Sequence, residues 1–580
     1  MRLTAVLQSA RSILPFPNRW DIVVLPAILG LLFWLGWGVH EMKAPFSLGE
    51  TVPVSLDPDN LPGYALRTVL RMSAAMLLSL LFTFVYATLA ARSRRAEQVL
   101  IPALDVLQSV PILGFLSITV LGFIRLFPGS LMGPEAAAIF AIFTSQAWNM
   151  TFSLYHSLRM VPKDLYEVAG VFQLSAWQRY WKVEVPFALP NLLWNMMMSV
   201  SGGWFFVVAS EAISVSGHSI LLPGIGSYIA LAIAHKDLAA IGYAVVAMLL
   251  VVLVTDQLLF RPLVAWAERF KYEQSTAGEA PTSWMLALLR RTQLVRTLLV
   301  LPARLWEWSV WLFRFVPAKP IFRLRIKITR REARLLDRLW GLLLVFVAVL
   351  STVFLARFVL RGADYAEIGH VFLLGLATAV RVIVLLVLAS LVWVPVGVWI
   401  GLRPALAQRL QPVVLFLSGF PANLLFPVVV SWIVLWKLNP EIWLSPLMIL
   451  GTQWYILFNV IAGAAAIPAD LREAAANLGL KGWPLWRRLL LPAIFPAYIT
   501  GGITASGGAW NASVVAEIAS WGHTTLAASG IGAYIAEQTT IGDHPRVALG
   551  IAVMSLYVVA LNRLVWNRLY TLAEKKLTLG

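Results

Sequence analysis

The chain has 580 residues, of which 59% are hydrophobic and 13% charged, with a formal net charge of +17 and no cysteine. So many apolar stretches of about 20 residues exclude a water-soluble fold of this length, and their continuity disfavours a β-barrel, whose strands give short alternating segments. The absence of cysteine excludes disulfides, haem-thiolate and zinc-thiolate chemistry, which leaves an all-α, polytopic helical membrane protein.

Taken in chain order, Arg2, Arg11 and Arg19 precede an apolar stretch from Ile22 that reads as a retained first span, without the compact layout and small-residue cleavage site of a signal peptide. Further spans are expected near 63–90, 99–125, 132–156, 187–210 and 237–260. A basic stretch follows, in which Pro281, Pro302, Pro317 and Pro320 interrupt amphipathic runs such as Trp306, Trp308 and Trp311, and an alternating piece from Ile321 to Lys327. It reads either as an inner-leaflet segment, aromatics at headgroup depth and cations toward lipid phosphate, or as a solvated linker. A second set of spans is expected near 336–359, 367–400, 411–434, 440–463, 492–515 and 545–563. The expected division is a first half over 1–260, a connector over 261–335 and a second half over 336–580.

Basic residues gather in alternate loops: Arg92, Arg94 and Arg95; Arg159, Lys163, Arg179 and Lys182; Arg403 and Arg409; Arg487 and Arg488. Those loops are expected in the cytoplasm, with both chain ends, whereas Glu50, Asp57, Asp59 and Asp543 mark opposite loops. The charge therefore reports topology and attraction to anionic lipid, and no nucleic-acid groove is expected.

The halves repeat each other. Thr68-Val-Leu-Arg71 matches Thr378-Ala-Val-Arg381, and Pro102 with Pro111 matches Pro412 with Pro421. Ser201-Gly-Gly203 matches Ser506-Gly-Gly508, and Gly224-Ile-Gly226 matches Gly530-Ile-Gly532. An even number of spans between copies makes these parallel repeats, related by a pseudo-twofold axis along the membrane normal. Arg71 and Arg381 lie just inside the ends of spans, where a charge must pair, snorkel or face water; they are candidates to line a path for an anion or to reach lipid phosphate. The amides Gln146, Asn149, Gln453 and Asn459 either bond between helices or line the path, and Trp204 and Trp510 either pack or narrow it. Glu211 and Glu517 are expected to stabilise the glycine-containing loops that follow them, and the histidines, His218 and His523 included, form no ligand-like cluster.

One polar helix occurs twice, as Pro162-Lys-Asp164-Leu-Tyr-Glu167 and Pro468-Ala-Asp470-Leu-Arg-Glu473. Asp at the N-cap with Glu three residues on predicts an acidic capping box. Ala169, Phe172 and Leu174, and Ala474, Ala475 and Leu478, supply a small apolar surface suited to docking in a groove, and the matched repetition favours docking over a helix merely lying on the membrane. Pro186 and Pro492 stand where each next span is expected to begin.

These residues carry a resemblance. Glu473-Ala-Ala475, Gly479, Leu489, Leu491 and Pro492 resemble the signature loop of ABC importer permeases, with Leu489 where the family has Ile. The first copy departs further, with Glu167-Val-Ala169 and with Gln173 where the family has Gly, before Val183, Val185 and Pro186. Roughly 60–265 and 365–570 resemble permeases of the nitrate, sulfonate, taurine and bicarbonate group, here fused in tandem. The resemblance implies a type I ABC importer fold of two parallel repeats of about six transmembrane helices, in a cell inner membrane. It implies that Asp164, Glu167, Ala169, Gln173, Asp470, Glu473, Ala474, Ala475 and Gly479 couple to two ABC ATPase subunits. Those subunits would carry ATP and Mg, since this chain has no Gly-x-x-x-x-Gly-Lys-Ser/Thr loop and no cofactor of its own is expected. A periplasmic or lipid-anchored solute-binding protein and membrane lipids are the other implied partners, and the implied activity is import of a small oxyanion or sulfonate by alternating access. The alternative is an ion-coupled secondary transporter, which calls for ionisable residues deep in the spans. Gln173 is expected to take left-handed geometry less readily than Gly479, so that the two ATPase contacts differ.

Overall fold

A computed structural model describes residues 18–46, 53–108, 110–215, 218–270, 283–312 and 330–576. Arg2, Arg11, Glu50, Pro281, Pro317, Pro320 and the alternating piece 321–327 lie outside the described residues. In lipid a backbone must satisfy its own polar groups, so apolar runs become helices. Among the described residues, eight helices are long and apolar enough to cross a membrane, and a ninth span arises if Pro440–Leu450 and Gln453–Ala465, bent by 44°, count as one. The chain is an all-α polytopic membrane protein.

The first half runs α1 (Asp21–Glu41), α2 (Leu61–Arg92), α3 (Arg94–Gln108), α4 (Ile112–Leu126), α5 (Met132–Arg159), α6 (Lys163–Val171) and α7 (Val185–Glu211). A hairpin of β1 (Ala212–Val215) and β2 (His218–Leu221) leads to α8 (Ile225–His235) and α9 (Leu238–Thr255). The connector contributes α10 (Gln293–Leu312). The second half runs α11 (Arg330–Val359), α12 (Tyr365–Gly401), α13 (Pro404–Gly419), α14 (Phe426–Leu435), α15 (Gln453–Ala465), α16 (Ala469–Asn477) and α17 (Leu491–Ala516), then β3 (Ile518–Trp521), β4 (Thr524–Ala527), α18 (Ile531–Ile541) and α19 (His544–Leu561). Both hairpins are antiparallel, with Ala212 opposite Leu221 and Ile518 opposite Ala527.

Three expected spans are broken: that near 440–463, bent by 44° between Leu450 and Gln453, and two others at matched prolines. The run near 99–125 divides between α3 and α4 at Pro111, which is extended at φ −66°, ψ 120°. Its counterpart Pro421, at φ −69°, ψ 100°, ends the helix within 411–434. Proline disfavours helical geometry in the residue before it, so each matched proline stops one helix and starts another inside a predominantly apolar run.

The two halves also share π-helical turns at Tyr180–Glu184 and Trp486–Leu490, and again at Asp256–Phe260 and Asn562–Trp566. Pro186 and Pro492 follow the first pair and have no N–H to give to the preceding turn; the wider turn closes instead from Val185 N to Tyr180 O and from Leu491 N to Trp486 O. The helix is therefore continuous through both prolines, and the spans begin earlier than they suggest, at Ala176 and Gly482. Glu167, Trp204 and Glu211 each precede Glu473, Trp510 and Glu517 by 306 positions. With no insertion between them, Gly202 stands opposite Gly508, so the Ser-Gly-Gly match shifts by one residue.

The halves interlock reciprocally. Ile112 N of α4 donates to Asn511 Oδ1 of α17 at 3.0 Å, and Asn423 Nδ2 donates to Phe205 O of α7 at 3.3 Å. Phe205 and Asn511 are equivalent positions in the repeat. α4 packs against α17 and α19, and α13 against α7. At the periphery no residue of the apolar window of α11 is buried, and Phe346 and Phe354 are exposed, as suits a helix facing lipid.

Candidate functional site

The matched polar helices are α6 and α16. Each starts from a proline N-cap in extended geometry, Pro162 at φ −59°, ψ 144° and Pro468 at φ −55°, ψ 143°, with no side-chain cap. This corrects the expected acidic capping box: the prolines set the entry angle, and Asp164 and Asp470 fall inside the first turn, where their charge meets the positive end of the helix dipole. Asp164, Glu167, Asp470, Glu473 and Ala474 are exposed, whereas Ala169 and Ala475 are buried against the body of the protein. Both helices end alike. Leu174 N donates to Ala169 O at 3.0 Å and Leu480 N to Ala475 O at 2.9 Å, with Gln173 at φ 49° and Gly479 at φ 67°. Gln173 thus takes the left-handed geometry that Gly479 takes without a Cβ penalty.

The surfaces of the two helices differ. α6 exposes Val168, Val171 and Phe172, at the positions of Ala474, Asn477 and Leu478 in α16. The loop after α6 is held by Glu184, which accepts from Arg92 at 2.9 Å and Arg179 at 3.1 Å. Arg92 also lies over the Tyr180 ring and Arg179 over Tyr166. Burial pushes the Tyr166 hydroxyl above its ordinary value, with Glu184 adding to the shift and Arg179 and Arg92 opposing it. In the second half the positions of Arg92, Arg179 and Glu184 hold Leu402, Leu485 and Leu490. The capping box of this region is Ser175 with Gln178, on the turn after α6.

At the opposite ends of the spans, Arg71 and Arg381 hold the hairpin loops. Arg71 is fully buried; its Nε and Nη2 meet Glu135 at 2.5 and 2.7 Å, and its Nη1 meets Glu211 Oε1 at 2.6 Å. Glu211 also accepts from Thr68 Oγ1 at 2.7 Å and Gly226 N at 2.6 Å. Gly224 lies flat on that carboxylate, which a Cβ would strike at 2.4 Å. In the second half Arg381 pairs with Glu441 and, at 3.1 Å, with Glu517, which accepts from Thr378 at 2.7 Å and Gly532 N at 2.8 Å. Neither arginine lines the cavity described next; each neutralises carboxylates that fasten the start of α8 or α18.

That cavity, of about 360 Å³, lies on the seam between the halves. Asn149, Asn459 and Trp510 line it, together with Asn195, Thr500, Asn511 and Asn562, and no charged side chain is among its lining residues. Gln146 is instead buried in the first half, donating to Met72 Sδ at 2.9 Å, and Gln453 accepts from Trp393 Nε1 at 2.9 Å. Trp204 is buried in the core. The residues missed from sequence, Asn195, Thr500, Asn511 and Asn562, carry one signal that could have found them: each is a polar group within an apolar helix. A second, apolar chamber of about 80 Å³ adjoins it toward the hairpins, sharing Gly202, Phe206, Tyr455 and Gly508 and walled by Phe205, Phe420 and Phe426.

Duplicated membrane-spanning halves, a repeated surface helix and a polar chamber on the seam define a membrane transport component. The chain belongs to the family of binding-protein-dependent transport system inner membrane components, whose model matches residues 63–261 and 393–578, once in each half. It is 30% identical over 138 residues to a putative ABC transporter permease protein of Methanocaldococcus jannaschii, a stretch covering 24% of this chain and 50% of that protein. It is 29% identical to a nitrate import permease protein of Leptolyngbya laminosa, over 33% of this chain and 64% of the relative. A putative aliphatic sulfonates transport permease protein of Bacillus subtilis is 24% identical over 43% of this chain and 88% of its own length. The chain thus spans less than two thirds of the first two relatives.

Proposed function

We propose that this chain is the permease subunit of an ATP-driven importer of a small solute, an oxyanion or sulfonate, working by alternating access. The observation that carries the reading is the pairing of a seam cavity lined by amides and hydroxyls from both halves with two surface helices of the same backbone, α6 and α16. In this reading residues 1–260 and 336–580 are halves of about six spans each, joined by the connector 261–335 in a cell inner membrane. Two ABC ATPase subunits, carrying ATP and Mg, dock on α6 and α16 through Asp164, Glu167, Asp470, Glu473 and the residues around Gln173 and Gly479. Asn149, Asn459 and Trp510 contact the solute, and a solute-binding protein meets the hairpin side.

Amides suit such a path because they donate to an oxyanion without holding it as an ion pair would, so the solute can leave. Closure of the ATPases would draw α6 and α16 together and open the seam between Phe205 and Phe420. The ion-coupled alternative is disfavoured because Arg71 and Arg381 are engaged by carboxylates and no carboxylate, histidine, lysine or arginine is among the lining residues of the cavity. Intact-complex mass spectrometry of material purified from its native membrane tests the reading. One copy of this chain with two P-loop ATPase subunits is expected; a chain that transports alone, without ATP, would sink it.

A further inference from the structure

The connector helix α10 meets the first half at two places. Its start lies at the foot of α1, where Gln293 N donates to Asp21 Oδ2 at 3.2 Å, Asn18 Nδ2 donates to Arg291 O at 2.6 Å, and the Arg291 guanidinium covers the Trp20 ring. Its end lies on the π-helical turn that follows α6, where Trp306 packs edge-on to Trp181 with ring centroids 4.5 Å apart. At this second contact is a pocket of about 630 Å³ walled by Trp181, Trp306, Trp308 and Trp311, with Lys182 and Arg304 also in its lining. Glu307 is the one acidic group in its lining, so the pocket keeps a net positive charge. Trp181 and Lys182 belong to the apolar span Ala176–Glu211, close to its start, so the pocket is at the level where that helix enters lipid.

We propose that this pocket binds the headgroup phosphate of an anionic phospholipid in the leaflet facing α6, and that the bound lipid clamps α10 to the loop behind α6. Two cations with one carboxylate favour a lipid of net negative charge over a zwitterionic one, and indoles prefer the headgroup boundary. The clamp is one-sided. In the second half Trp181 and Lys182 are replaced by Arg487 and Arg488, so the aromatic wall that receives Trp306 is missing there. Lipid in the pocket holds Trp306 against Trp181, and through the turn at 176–184 it stiffens the seat of α6. This regulatory step rests on the docking role proposed above for α6; the lipid site does not.

The test uses the full chain with its ATPase subunits, from membranes containing phosphatidylglycerol and phosphatidylethanolamine. Intact-complex mass spectrometry should show phosphatidylglycerol retained by the unaltered chain and bound roughly 10- to 30-fold more weakly after Lys182→Gln with Arg304→Gln, given the contribution of each basic residue near an anionic surface. Arg304→Lys should restore much of it, and Arg487→Gln with Arg488→Gln should leave it unchanged. Equal retention by the unaltered chain and the Lys182/Arg304 variant would overturn the site, and displacement of the lipid by millimolar inorganic phosphate would assign the pocket to free phosphate instead. Solute-stimulated ATP hydrolysis in vesicles should fall several-fold in the Lys182/Arg304 variant when phosphatidylglycerol is present, and match the unaltered chain in zwitterionic vesicles. Loss of lipid with unchanged coupling would overturn the regulatory step alone. Failure of any ATPase to associate would instead count against the docking role of α6, with lipid retention still readable.

Discussion

The two halves share a backbone down to their π-helical turns but lock it differently. In the first, Arg71 is sealed between Glu135 and Glu211, and the loop behind α6 is pinned through Glu184 to Arg92 and Arg179. In the second, Arg381 keeps 15% of its side-chain surface and one of its two partners, Glu441, keeps 43%, the other, Glu517, being buried, and leucines replace the residues that pin the loop. A buried ion pair is costly to break because the partner is left charged out of water, whereas a pair open to solvent is worth little. The first half is thus the more firmly fastened of the two.

The largest test of that contrast is at the arginines. Arg71→Gln should cost about 3–5 kcal/mol, since it strands two buried carboxylates, and should remove most folded chain from the membrane. Arg381→Gln should cost less, about 1–3 kcal/mol, because solvent reaches Glu441 and only Glu517 is left buried without its partner. Size-exclusion profiles of detergent extracts would measure both, and equal losses would break the comparison. Next in size is the cavity: Asn149→Leu from one half and Asn562→Leu from the other should each lower solute transport about tenfold, as expected when a bound polar solute loses a partner, while leaving the elution profile intact. Unchanged transport in both variants would remove the cavity from the path.

Smaller effects are expected at the loops that follow α6 and α16. Glu184→Gln removes two partly exposed ion pairs, worth about 1 kcal/mol together, and should speed hydrogen exchange in 172–184 without touching 478–490. At the helix ends, Gln173→Gly should relieve about 1 kcal/mol of left-handed strain and tighten ATPase binding, whereas Gly479→Gln should add the same strain, its side chain finding open space. Equal effects of these two changes on turnover and on ATPase association would show that the docking sites do not differ in this way.

The apolar runs made most spans legible, and the twofold recurrence of Asp-x-x-Glu drew attention to α6 and α16. The breaks at Pro111 and Pro421 were hidden because the residues on either side stay apolar, and hydropathy does not register a change of backbone direction. The hairpins after Glu211 and Glu517 have four-residue strands, too short for an alternating pattern to stand out. Arg71 could be flagged as a charge at membrane depth, but its partners Glu135 and Glu211 lie 64 and 140 positions away and only folding brings them together. The candidate amides parted although periodicity does not separate them: Gln146 and Asn149, three residues apart on α5, share nearly one helix face, yet Asn149 reaches the seam and Gln146 the core.

The contact of Ile112 with Asn511 bears on why the halves travel on one chain. Two first halves brought together would set Phe205 where Asn511 stands, and the Ile112 N–H would face a ring in place of its amide acceptor, at a cost of about 1–3 kcal/mol for a buried donor. Hydrophobic packing alone would scarcely separate such a like-with-like assembly from the intended one. Translation as a single polypeptide settles the matter before any surface is compared: every molecule receives one of each kind, at fixed stoichiometry and high effective concentration. Fusion here is a device of fidelity, fixing the partner where a reciprocal pair of hydrogen bonds, Ile112 to Asn511 and Asn423 to Phe205, would otherwise have to tell like from unlike.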